Sequence, residues 1–102
     1  MIENDIRFLL DAPLEGGEAP SLEVLEHTLT AGYARAMALE AEQWRLQRRI
    51  ADVAMSLADG DSGSSELQEL GERLQTTDSE LGRLRSLLAS LRSRAADARA
   101  AA

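Results

Sequence analysis

The chain has 102 residues, one domain by length, and a formal net charge of −7. It has no Cys, which excludes disulfides, thiolate metal sites and a Cys nucleophile, and its negative field argues against nucleic acid as a partner. Phe8, Tyr33 and Trp44 are the only aromatics, too few for an ordinary globular core, whereas abundant Leu, Ala, Glu and Arg match long helices and coiled coils.

Residues 1–20 read as an N-terminal arm. Pro13, Gly16, Gly17 and Pro20 break any long helix, leaving Ile2, Ile6, Leu9 and Leu10 for one short amphipathic helix. An apolar segment on a flexible tether docks rather than solvates, so Ile6, Phe8, Leu9 and Leu10 are the expected docking residues. The arm's acids, Glu3, Asp5 and Asp11, suit Arg92, Arg94 and Arg99 near the other end of the chain. The N-terminus lacks a basic region followed by a long apolar run, and no apolar run reaches the length of a membrane span. The expectation is a cytoplasmic protein with no membrane partner.

Residues 21–102 carry two apolar ladders. Leu22, Leu25, Leu29, Gly32, Ala36, Leu39, Gln43, Leu46, Ile50, Val53 and Leu57 follow at alternating steps of three and four. The rhythm returns through Leu67, Leu70, Leu74, Thr77, Leu81, Leu84, Leu88, Leu91, Ala95 and Ala98. Such steps average about 3.5 residues, the repeat that keeps one helix seam against a partner helix. Ser21 is placed to cap a helix over 21–58, Gly60 to end it in a left-handed turn, and Ser65 with Gln68 to form a capping box. The boundaries expected are a helix over 21–58, a turn over 59–64 and a helix over 65–100. A connection this short forces the helices antiparallel. The fold class expected is all-α: an antiparallel two-helix coiled-coil hairpin that pairs into a homodimeric four-helix bundle.

Two registers of the hairpin fit the turn. With Leu22 and Leu67 as a positions and Leu25 and Leu70 as d, the first sets Gly32 level with Ala95 and brings Glu26 to Arg99, Glu40 to Arg85 and Arg49 to Glu80. The second sets Gly32 level with Leu88 and Gln43 with Thr77, but brings Glu40 to Asp78, Glu42 to Glu80 and Arg49 to Arg73. At about 0.3–0.5 kcal/mol per exposed pair, the charges favour the first register by about 2 kcal/mol.

No catalytic constellation stands out, and no catalytic, cofactor or metal residue is expected. His27, the only histidine, falls opposite the seam, where it has neither an orienting partner nor a pocket. Asp59-Gly60-Asp61 resembles the start of a calcium loop, but Gly63 stands where a third ligand belongs and Glu66 comes too early. The charge is graded along the chain: residues 1–26 hold seven acids and one Arg, residues 83–102 five Arg and one Asp. A hairpin brings these ends together, and no aromatics interleave the arginines as in a nucleic-acid surface. All eleven basic residues are Arg, which with so much Ala suggests a GC-rich, bacterial genome.

A second stripe lies beside the first seam. Tyr33, Met37, Trp44 and Ala51 fall at b and e positions of the first helix, and Gly82 and Ala89 at b positions of the second. A hairpin alone would leave Trp44 and Met37 in water, so a cover is expected: a second copy, the arm, or another protein. Tyr33, Met37, Trp44, Ala51, Gly82 and Ala89 are therefore the expected protein-interaction residues. The function expected is a non-catalytic interaction or scaffold protein, with itself or an unidentified protein as partner. The alternative is a small regulator or chaperone that binds a client helix on the Tyr33–Met37–Trp44 face. Long acidic hairpins of that kind resemble flagellar and type III export chaperones and small anti-sigma factors. The plan is also similar to WXG-type secretion substrates, but Trp44 is followed by Arg45-Leu46, well before the turn. No family is identified.

Overall fold

Ser21 and Gly60 set the ends of the first long helix by local chemistry. The Ser21 hydroxyl oxygen accepts from the Val24 backbone N–H at 3.2 Å, satisfying one of the donors that a helix start leaves over. At the other end Gly60 takes φ +92°, and its N–H donates to the Leu57 carbonyl at 3.1 Å. A computed structural model describes residues 1–60 and 62–101. The chain is helical, with α1 (Ile2–Asp11), α2 (Leu22–Ala58) and α3 (Ser64–Ala101), of 10, 37 and 38 residues, and no strand among the described residues. None of these helices is long and apolar enough to cross a membrane. The helix α3 starts one residue earlier than the Ser65 capping box would place it, and its first turn closes from the Leu67 N–H to the Gly63 carbonyl at 2.9 Å. Asp61, one of the two acids of the calcium-loop likeness, lies outside the described residues.

Two units divide the contacts, Met1–Ala36 with Arg83–Ala102, and Met37–Gly82. In the first, the ladder residues Leu25, Leu29 and Ala36 of α2 and Leu84, Leu88, Leu91 and Ala95 of α3 are buried, together with Ile6 and Leu9 of α1. Gly32 makes the junction. A side-chain carbon there would overlap the Leu88 Cδ2 methyl and stand 3.5 Å from Ile6 Cδ1, so its bare backbone is the notch that Leu88 enters, with Ile6 packed beside it. Leu10 is half-buried, whereas Phe8 points outward at 74% exposure.

Arg94 secures the exit of the arm. Its Nη1 donates to the Leu10 carbonyl at 2.7 Å, and its Nη2 to those of Ala12 and Pro13 at 2.6 and 2.7 Å. Those carbonyls come at the end of α1, where a helix has no partners of its own and α1 has no basic residue in its last turn. The expected pairing of arm acids with Arg92, Arg94 and Arg99 is therefore corrected. Glu3 lies 3.8 Å from Arg83 and Arg7, Arg94 binds backbone, Arg92 donates to the Tyr33 hydroxyl at 3.4 Å, and Arg99 pairs with Glu26 at 2.8 Å.

In the second unit Leu46, Val53 and Leu70 form one cluster with Ile50, Leu67 and Leu74 packed against it, and Leu39 and Leu81 are buried as well. The six clustered residues make up three successive layers of the second register. In the first unit, independently, Gly32 meets Leu88 rather than Ala95. Packing therefore overrides the charge argument for the first register. The reason is reach: the side chains step away from the like charges that the second register would impose. Arg49 turns to Glu66 at 2.7 Å, Glu42 accepts from Arg45 at 2.8 Å and from Arg73 at 3.5 Å, and Gln43 Nε2 donates to Asp78 at 2.6 Å. The Glu26–Arg99 pair expected of the first register still forms, because long side chains span the offset.

Candidate functional site

Steps of seven place Met37, Trp44 and Ala51 on one side of α2, away from the buried seam of Leu39, Leu46 and Val53. All three belong to the second unit and all are exposed, Met37 at 70% and Trp44 at 59%. The Trp44 ring has one described neighbour of opposite character: the Arg48 guanidinium lies 5.1 Å from its centroid, one helical turn on. That stack shields part of one ring face and leaves the rest of a large apolar side chain in water. Met55, 68% exposed, extends the stripe one turn past Ala51. Met55 falls at an f position, outside the b and e positions of the stripe, and its signal in the sequence is the four-residue step from Ala51.

Gly82 stands at a b position of α3 in the same unit, with no atom within 4 Å of where a side chain would begin. A glycine inside a helix costs about 1 kcal/mol relative to Ala. Nothing among the described residues uses the space it leaves. Tyr33 and Ala89 lie in the first unit, where both are exposed and Tyr33 is held through its hydroxyl by Arg92.

The three expected covers of this stripe can now be separated. The arm's described contacts lie in the first unit, where Ile6 packs beside Gly32 and Leu88 and Arg94 holds the arm's exit, and Met37 and Trp44 of the second unit are exposed. A second copy and another protein remain. Beside Trp44, the Gln43 amide and the Asp78 carboxylate are bound to each other at 2.6 Å, which satisfies one polar group of the seam's edge from within the chain.

His27 is exposed, and among the described residues no group of three or more His, Asp or Glu is placed to hold a metal ion. No buried side-chain nitrogen or oxygen among them lacks a hydrogen-bond partner. The site is thus a surface of apolar and small residues rather than a pocket. Compared with known protein families, curated proteins and solved structures, the chain matches none.

Proposed function

We propose that the chain is a non-catalytic protein–protein interaction or scaffold protein. In this reading α2 and α3 form an antiparallel coiled-coil hairpin, and two copies pair through the Met37–Trp44 stripe into a four-helix bundle in the cytoplasm. The exposure of Trp44 and Met37 on one side of α2, with the arm docked elsewhere, carries the reading. Trp is a residue that interfaces bury, and a contiguous exposed apolar stripe marks association. Gly82 supports a second helical copy as the occupant, since a missing side chain lets helices approach closely.

The test is solution mass by light scattering. The wild type should be a dimer at micromolar concentration, and Trp44→Glu or Met37→Glu should shift it toward monomer without loss of helicity. A wild-type monomer with the emission spectrum of a water-exposed tryptophan would refute the homodimer and leave the stripe to a client helix.

A further inference from the structure

Pro13 and Pro20 bracket the link between α1 and α2 and set one wall of a cleft of about 400 Å³. Phe8 and Val24 supply its apolar floor from the two helices, and Asp11 and Glu18 stand in its lining. All of these residues belong to the first unit, whereas Met37 and Trp44 belong to the second.

Phe8 gives this cleft its meaning. Successive residues of a helix turn by about 100°, so Phe8 is on the far side of α1 from Ile6 and takes no part in docking the arm. A Phe left 74% exposed on a helix already anchored by Ile6 and Leu9 keeps most of its apolar surface in water. It offers a large, rigid apolar contact to a ligand.

Charge identifies the ligand. Among the acids of the first 26 residues, Glu3 and Glu26 have arginine partners, but Asp11, Glu15, Glu18 and Glu23 make no ion pair with any described residue. The neighbouring guanidinium of Arg94 is occupied by the carbonyls of Leu10, Ala12 and Pro13. The cleft is therefore apolar within and has unneutralised carboxylates in its lining. We propose that it docks a basic segment of a separate protein partner, an aliphatic or aromatic side chain entering beside Phe8 with a Lys or Arg next to it facing Asp11 and Glu18.

Two small probes with one tail isolate that chemistry: 4-phenylbutylamine, a cation at neutral pH, and 4-phenylbutyrate, an anion. Each is titrated into the isotope-labelled full chain while backbone amide shifts are followed by NMR. The amine should move the amides of Phe8, Asp11, Glu18 and Val24 saturably, and the carboxylate should not. Asp11 and Glu18 are exposed, so a D11N/E18Q variant should fold as the wild type and bind the amine about fivefold more weakly, the worth of two exposed charge contacts. The proposal is overturned if neither probe moves the cleft, if both move it alike, or if the double variant binds the amine unchanged. Cleft amides that shift with protein concentration alone would also overturn it, because a second copy would then be the occupant.

Discussion

Truncating Ile6 tests whether α1 docks as one cooperative unit. Ile6 is completely buried, packed next to Gly32 and Leu88, and Leu9 beside it is nearly so. Either residue changed to Ala should by itself cost about 2–5 kcal/mol in a packed core. The arm has less than the sum of those costs to lose. Burying the two side chains contributes about 1.5–3 kcal/mol each, and the bonds from Arg94 to the arm's carbonyls a further few kcal/mol at most. Ordering a helix this short, which has almost no stability of its own, offsets most of that gain. Ile6→Ala should therefore release α1 rather than leave a cavity. The expected loss is about 2 kcal/mol, roughly a 10 °C drop in Tm for a chain of this size. I6A/L9A should cost no more than deletion of residues 1–18. The assay is thermal melting followed by circular dichroism, with hydrogen exchange on α1. Exchange of the α1 amides should become fast in Ile6→Ala while α2 and α3 keep their protection. Losses that add in the double variant and run well past the truncation would refute the reasoning, as would α1 amides that stay protected in Ile6→Ala.

Deletion of residues 1–18 should itself lower Tm while leaving helicity per residue nearly unchanged; an unchanged Tm would mean the docked arm adds nothing to stability. Cysteines at Gly32 and Leu88 should form a disulfide under mild oxidation and those at Gly32 and Ala95 should not, read by electrophoretic mobility; the reverse would restore the charge-favoured register. Ser21→Ala removes the oxygen that caps α2 and should cost about 1 kcal/mol in a chemical-denaturation experiment. Gly82→Ala should stabilise the helix by up to about 1 kcal/mol at protein concentrations too low for association, yet weaken self-association measured by sedimentation. A stabilised variant that associates as well as the wild type would remove Gly82 from the proposed interface.

How far the sequence could be read depended on the range of each interaction. Helix ends are decided within one turn, and Ser21 and Gly60 act as their types imply. The start of α3 shifted by one residue because Gly63, close against Val53, accepts the first helical bond ahead of the Ser65 box. Periodicity also held the orientation of Phe8, which was expected to dock; its position two residues from Ile6, about 200° around the helix, already turned it outward. Register was harder. It depends on which layers pack best across two elements, and the flanking charges were a poor guide because long, flexible side chains swing to other partners. Arg49 found Glu66, Glu42 found Arg73 and Gln43 found Asp78, so Arg49 and Glu42 have partners of opposite charge in a register that the like charges were expected to disfavour. Apolar layers have no such freedom.

Gly32 shows the remaining limit. In the ladder it looks like a weak member of a Leu-rich seam, a position where packing is lost. Its purpose is the close approach of Leu88 of α3, whose methyl a side chain there would overlap, with Ile6 of α1 at ordinary contact distance beside it. A one-dimensional repeat marks which residues face the seam and does not show which of them must be small for a neighbour to come close. The same reasoning gives weight to the features the fold leaves unused. Gly32 and Gly63 are both filled by neighbours within the chain, whereas Gly82 is not, and Ile6 is consumed by docking whereas Phe8 is not. A glycine and an aromatic that cost stability or solubility and are left largely open by the chain itself are the places where a partner would supply the missing contact.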